Sequence, residues 1–253
     1  MSHDYAGVAR YNASLVQEEC LPALQAPSPA AAELLVNLAI ASRVLGMCAM
    51  LLDAEQGSFA ALLRQAGQAR LALLELRQRA PELSSRLMTS ETIGFSDALV
   101  GGDLELAREI ARRSPDHQFP DEYEEDFLFG RVMHLLALRP MDRSILPSML
   151  ERWTALDPRD ADAAKLAVCR AIAERDAPGL EDAFVDLCRE RRLEAEAYRK
   201  RTDFDPEVYA TTFQLYTDGL AVRALARDAG LPEPPLMPMV PALARLPVSA
   251  LRT

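Results

Sequence analysis

Aromatic residues are scarce in this chain of 253 residues, at 6% of the total, and glycine and histidine are few as well, at 11 and 3 residues. Alanine, leucine, arginine and glutamate dominate instead, and most of these residues favour helices. No stretch alternates apolar and polar residues in the way a half-buried strand does. The sequence therefore gives no indication of a sheet and predicts an all-α fold.

Cysteine is rare too, and none of the cysteines pairs as Cys-x-x-Cys. Each stands in an apolar helical context, which is typical of small core residues in a reducing compartment. They are Cys20, Cys48, Cys169 and Cys188. A zinc site is not predicted, because no second ligand lies at zinc-finger spacing from any histidine. The histidines are His3, His117 and His134.

Motifs that carry catalysis are absent from the sequence. It contains no glycine-rich phosphate loop, no Gly-x-Ser-x-Gly and no His-Glu-x-x-His. Neither His117 nor His134 follows a glutamate by three residues, as a di-iron helical bundle would need. Glu122 and Asp126 share a helical face, but one face supplies too few oxygens for calcium. We therefore expect no catalytic residue, no metal and no cofactor, and a protein that is not an enzyme.

No membrane-spanning segment or signal peptide is predicted. The first ten residues lack the basic and apolar regions of a signal peptide. The longest apolar run, residues 34–52, contains Asn37, Ser42 and a central Arg43. An arginine at mid-bilayer costs about 2.5–3.5 kcal/mol on insertion scales. We expect a buried helix here and a cytoplasmic protein.

Acidic residues outnumber basic ones by 38 to 28, which gives a formal net charge of −10. Direct binding of nucleic acid or of an anionic membrane needs a basic surface for the phosphates. The charge therefore argues against both partners and suits a basic protein partner instead.

Proline, aspartate and glycine divide the chain into about ten helices joined by short turns. Asp103 and Asp142 are predicted to cap two of them, and Pro81 to end the third. In the first helix, an apolar side is predicted to contain Tyr5, Val8, Tyr11, Leu15 and Val16. The predicted helical ranges are 4–25, 29–52, 58–79, 89–100, 103–113, 121–138, 142–156, 160–175, 178–201 and 205–230.

These helices predict one all-α domain over residues 1–253, built from stacked antiparallel hairpins in a compact and partly solenoid-like array. A division into two lobes that meet near residues 114–120 is the other arrangement we consider. No repeat of fixed period is present, so a regular tetratricopeptide array is not indicated. The proline-rich C-terminal tail is predicted to wrap over the body and to offer it Leu236, Met237, Met239 and Leu243.

Residues 114–138 form the most distinctive stretch, because an acidic segment turns abruptly into an apolar helix. Pro120 suits the first turn of a helix, and carboxylates there meet the positive end of the helix dipole. The acidic segment is interpreted either as a solvated, well-capped helix start or as a partner-binding surface. The candidate partner-binding residues are Asp116, Asp121, Glu122, Glu124 and Glu125.

Two further residues of this region are predicted to be structural. Asp126 shares its helical azimuth with Phe129 and Met133, so it should lean inward and need a partner from another element. Trp153 is predicted to be a packing anchor, since its apolar neighbours in sequence are Met149, Leu150 and Leu156.

Five features of the sequence stand out together: EYEEDF at 122–127, Trp153 in a following helix, FDPEVY at 204–209, TDGLAVRALARDAGL at 217–231 and the proline-rich close. With these features the chain resembles the Immunity protein 49 family of bacterial polymorphic toxin systems. The resemblance implies a cytoplasmic protein that binds and neutralises a cognate toxin, typically by covering its active site. Partners of such families are often nucleases, so it also implies a DNase-type effector with a basic surface. The acidic residues named above are our own assignment from charge and are not carried over from the family.

A second hypothesis is an α-helical scaffold or chaperone-like adaptor that binds a peptide or helix in a groove. It predicts an exposed apolar or aromatic groove and binding that depends little on salt. The immunity hypothesis predicts tight one-to-one binding with an association rate that falls as ionic strength rises.

Overall fold

The computed structural model describes residues 4–77, 87–138 and 144–244. Over these ranges the chain forms eleven α-helices and no strand, which confirms the predicted all-α fold. Two short 3₁₀ turns, Pro29–Ala31 and Ala242–Ala244, accompany them. The helices are α1 (Tyr5–Gln25), α2 (Ala32–Asp53), α3 (Gln56–Leu76), α4 (Phe95–Val100), α5 (Leu104–Arg113), α6 (Glu124–Ala137), α7 (Ile145–Ala155), α8 (Asp160–Glu174), α9 (Ala177–Tyr198), α10 (Pro206–Thr211) and α11 (Thr217–Asp228).

The first three helices pack side by side. Short turns join them, so α2 runs antiparallel to α1 and α3 runs antiparallel to α2. Only Ala54 and Glu55 separate α2 from α3, and Ala54 takes the left-handed conformation, at φ 55°, that ends a helix abruptly. Asp4 caps α1 by accepting a hydrogen bond from the Gly7 amide at 2.8 Å.

The side that α1 buries differs from the predicted one. Its buried residues are Ala9, Ala13, Cys20 and Ala23. The larger apolar residues are exposed, namely Tyr5, Val8, Tyr11, Leu15 and Val16. Small side chains let α1 approach the alanine-rich α2 closely, so burial here follows the size of the side chains and not their hydrophobicity.

Helix α2 packs between α1 and α3. By length and composition, Pro29–Asp53 could cross a bilayer, because an 18-residue stretch within it has a mean hydropathy of 1.9. However, 61% of that stretch is buried inside the protein. Arg43 in its middle donates through Nε to Asp97 of α4, at 2.8 and 3.0 Å from the two carboxylate oxygens. The Asp97 side chain is fully buried, so this ion pair ties α2 to the core.

Three predicted helix boundaries are wrong. The helix expected over residues 89–100 begins only at Phe95, after a turn that contains Gly94 at φ +89°. Helix α6 begins at Glu124, so Pro120 lies in the preceding turn and does not open the helix. The last long helix is divided at residues 212–216, where the Tyr216 amide donates to the Met239 carbonyl of the tail at 2.8 Å. Pro81 and Asp142, predicted to end one helix and cap another, lie outside the described residues.

One contiguous hydrophobic core includes residues of α1–α9 and α11. The tail joins it through Val240, which is fully buried, and through the partly buried Met237 and Met239, whereas Leu236 and Leu243 are exposed. Arg223 of α11 holds the tail by donating to the Pro235 carbonyl at 3.0 Å. The division into two lobes near residues 114–120 stays a prediction.

Candidate partner-binding surface

The acidic segment stands where the loop after α5 leads into the central helix α6. Every residue of α6 from Phe127 to Ala137 except Arg131 is buried. A Cβ atom at Gly130 would lie 2.1 Å from the Thr89 carbonyl oxygen, so glycine lets the loop before α4 approach α6. The Thr89 hydroxyl in turn donates to the Pro115 carbonyl at 2.7 Å. The loop that carries the carboxylates is therefore held on a rigid base.

Glu122 was predicted to belong to the exposed surface, and that prediction is wrong. Only 5% of the residue is exposed. Its carboxylate accepts hydrogen bonds from the backbone amides of Ser90, at 2.6 Å, and Phe119, at 3.1 Å. A carboxylate that satisfies two backbone donors ties the two loops together, so Glu122 is a structural residue.

The candidate residues of this segment that stay exposed or half-exposed are Asp116, Asp121, Glu124 and Glu125, and Tyr123 is exposed as well. We call these five residues the acidic face. Tyr123 precedes α6 at the N-cap position and is 79% exposed, the highest exposure of any large apolar or aromatic residue that the structure describes. Sequence reasoning missed it, although a tyrosine between carboxylates at a helix start is a recognisable signal.

The carboxylates of the acidic face differ in how strongly they are already paired. Glu124 accepts from Arg152 of α7 at 2.7 Å, which offsets much of its charge. Asp116 bonds to the His117 ring at 3.3 Å, and this bond lowers the pKa of Asp116. Asp121 and Glu125 have no ion pair among the described residues. These last two carry the free negative charge of the face.

Asp126 was predicted to lean inward, but 49% of its side chain is exposed. It does find a partner in another helix, because its carboxylate lies 3.5 Å from the Lys165 ammonium of α8. Burial alone would lower the pKa of Lys165, but the hydrogen bond and charge of Asp162, followed by the charge of Asp126, raise it. Asp126 therefore takes part in a half-exposed ion pair between α6 and α8, and it is not a buried carboxylate.

Trp153 is fully buried, as predicted for a packing anchor, and its ring meets Phe129 edge-on at 6.1 Å between centroids. His134 is buried as well, against the ring of Phe95 at 4.4 Å. Burial, followed by the positive charges of Arg131 and Arg70, lowers the pKa of His134 to about 3. Neither aromatic ring reaches a surface on which a partner could bind.

All four cysteines are buried and free. Burial raises the pKa of Cys169 and of Cys188 to about 12, so both thiols stay protonated at neutral pH. Within residues 4–77, 87–138 and 144–244, no group of three or more His, Cys, Asp and Glu side chains could hold a metal ion. His3 lies outside the described residues.

The structure also contains an apolar groove. The adaptor hypothesis predicts such a groove, but the sequence did not indicate which residues would line it. A groove of about 470 Å³ lies between α1, α2 and α10. Its lining is mostly apolar or small, and its ionisable residues are Asp205 and Glu207. The apolar lining residues are Ala9, Ala13, Val16, Ile40, Ala41, Val44 and Val208. We call this surface the α1–α2–α10 groove.

Comparison with known proteins finds no matching family model, no matching curated protein and no matching solved structure.

Proposed function

We propose that this protein is an immunity protein, which binds a toxin effector of bacterial origin in the cytoplasm and neutralises it. It acts by binding and not by catalysis, and it needs no cofactor. The observation that carries the proposal is the acidic face, where exposed and half-exposed carboxylates stand on both sides of one exposed tyrosine in the sequence, at the start of the buried helix α6. The resemblance of residues 122–127, 204–209 and 217–231 to the Immunity protein 49 family supports the same function.

A nuclease is the toxin class that fits this face best. A nuclease offers a basic surface to the phosphates of its substrate, and fixed carboxylates can occupy that surface in their place. Asp121 and Glu125 supply charge that no cation of the described chain neutralises, and it would speed association at low ionic strength. Glu124 would have to exchange Arg152 for a group of the toxin, so we expect it to contribute less.

Tyr123 would supply the contact energy that charges alone do not. Exposed carboxylates mainly change association rates, whereas buried aromatic anchors dominate the energy of interfaces. A tyrosine combines a large apolar ring with a hydroxyl that still bonds to polar groups. We therefore expect Tyr123→Ala to raise the dissociation rate and the carboxylate variants to lower the association rate.

The experiment begins with the gene directly upstream, where the proposal expects a large multidomain effector. The C-terminal domain of that effector is co-expressed with the protein, and growth and co-purification are scored. Rescue of growth together with a stable complex is the expected result. Growth arrest despite normal expression of both proteins would contradict the proposal.

A charge-reversal pair then locates the surface. Asp121→Lys/Glu125→Lys should slow association about tenfold at low salt, as expected for the loss of electrostatic steering. Glu181→Lys/Asp182→Lys on the exposed side of α9 is the matched control, because it changes the net charge by the same amount elsewhere. If both pairs slow association equally, the acidic face is not the contact surface.

The α1–α2–α10 groove favours a second candidate function, the α-helical adaptor. That hypothesis requires an exposed apolar groove, and this one has exposed Val16, Ile40 and Val208 along it. The two functions use surfaces that share no residue, so each can be tested without the other.

A further inference from the structure

The α1–α2–α10 groove has a floor of small side chains and walls of branched aliphatic ones. Ala9, Ala13 and Ala41 are buried at its base. Ile40 of α2 and Val208 of α10 stand beside them, 44% and 37% exposed. A floor of alanines leaves room for another element to come close, as small residues do where helices pack tightly.

The charge at the groove has a single sign. Glu207 is held by Asn12 of α1, whose amide donates to both carboxylate oxygens at 2.9 and 3.2 Å. Asp205 caps α10 by accepting from the amides of Glu207, at 2.8 Å, and Val208, at 3.3 Å. Both carboxylates keep acceptor capacity, and no basic side chain lines the described groove. An occupant that fits must be apolar along the floor and basic beside Asp205 and Glu207.

The backbone of the groove decides the form of the occupant. Extended peptides bind either by adding to the unpaired edge of a sheet or, when proline-rich, by docking in an aromatic-lined groove. The described chain offers no sheet edge here, and no aromatic residue lines the described groove. The walls are helices, whose backbone groups are bonded within each helix. An amphipathic helix needs no backbone donor from its host and places side chains at three- and four-residue spacing into an apolar groove.

We propose that the α1–α2–α10 groove binds an amphipathic helix of a partner protein, with lysine or arginine beside its apolar face. This inference rests on the second proposed function, the adaptor, and names the class of its ligand. It shares no residue with the acidic face, so failure of toxin neutralisation and failure of helix binding would be observed separately.

The test measures fluorescence anisotropy of the full chain with labelled synthetic peptides. The first peptide is made of leucine and lysine, with leucines at three- and four-residue spacing. The second has glutamate for lysine. The third has the composition of the first but leucines at alternating positions, which controls for attraction to the net charge of −10. We expect binding of the first peptide and at least about tenfold weaker binding of the other two, a difference of about 1.4 kcal/mol.

Ile40→Lys places a charge in the groove and should weaken binding of the first peptide at least about tenfold. Leu193→Lys on α9 is the matched control, because Leu193 is 46% exposed but lies outside the groove. It should leave the affinity unchanged. Circular dichroism checks that both variants fold, and Val16→Lys replaces Ile40→Lys if the latter does not.

Three results would overturn the proposal. The first is that no peptide binds, or that the glutamate peptide binds as well as the lysine peptide. The second is that Ile40→Lys and Leu193→Lys have equal effects. The third is a dimer by analytical ultracentrifugation that Ile40→Lys converts to a monomer, which would assign the groove to a second copy of this chain.

Discussion

Acidification should destabilise this protein through His134, and the effect can be worked out from its burial. The ring is 2% exposed, and its Nδ1 has no hydrogen-bond partner among the described residues. Its pKa is lowered to about 3 by burial, with Arg131 and Arg70 also disfavouring a positive charge. In the unfolded chain the pKa of a histidine is about 6.5.

The sign follows from proton binding. Between these two pKa values the unfolded chain binds one proton that the folded chain does not, so stability falls as pH falls. The stabilising contribution of neutral His134 is complete above about pH 6.5 and is lost progressively towards about pH 3. Near pH 4.5 the loss is on the order of 3 kcal/mol, a large share of a typical stability of about 5–15 kcal/mol.

The assay is urea denaturation near pH 7.5 and near pH 4.5, in which the fluorescence of the buried Trp153 monitors unfolding. Carboxylates also titrate in this range, so the measured quantity is the difference between the wild type and His134→Leu. We expect the variant to lose less stability than the wild type on acidification, by on the order of 3 kcal/mol. Met133→Leu, at a fully buried neighbouring position, should shift stability equally at both pH values.

Equal losses for the wild type and His134→Leu would refute this reasoning. Such a result would mean that the folded protein accepts the proton, through water or a rearranged partner, and that burial does not keep the ring neutral.

Four further substitutions, one of them a control, test the packing around the acidic face and α6 by thermal and urea denaturation. Glu122→Ala should lower the free energy of unfolding by about 1–3 kcal/mol, because two backbone amides lose their acceptor, whereas Asp121→Ala should change it by less than about 0.5 kcal/mol. Equal effects would contradict the structural role of Glu122. Gly130→Ala should destabilise strongly, since its Cβ would meet the Thr89 carbonyl oxygen at 2.1 Å, and a native-like melting temperature would show that the loop can move away. Trp153→Ala should cost about 3–5 kcal/mol by leaving a cavity, and a smaller loss would mean that the core collapses around it.

Much of the helical architecture could be predicted from residues close together in the chain. Asp103 caps α5 as predicted, accepting from the Leu106 amide at 3.0 Å, because capping involves only neighbours in sequence. The first helix was predicted to begin at residue 4, and α1 begins one residue later, at Tyr5. Composition predicted the all-α class for a similar reason, since helix hydrogen bonds join residues four apart.

The roles of the carboxylates near α6 could not be predicted in this way. Asp121 and Glu122 are adjacent and chemically alike, but only Glu122 turns inward. It does so because the backbone amide of Ser90, in a loop distant in sequence, donates a hydrogen bond to its carboxylate. Asp126 was assigned inward from its helical azimuth, yet Lys165 of α8 holds it at the surface. Ser90 and Lys165 are both distant in sequence from the carboxylates that they bind, and a sequence pattern does not say which distant residues will meet.

The sequence by itself determined the helical class, most helix positions, the net acidity and the anchoring role of Trp153, because each depends on local propensity, on composition or on a run of apolar neighbours. Only the tertiary structure decided which face of α1 is buried, where the last helix breaks against the tail, and that α10 closes a groove over α1 and α2. These features depend on which helices meet and on how closely their side chains let them approach, and such contacts exist only after the chain has folded.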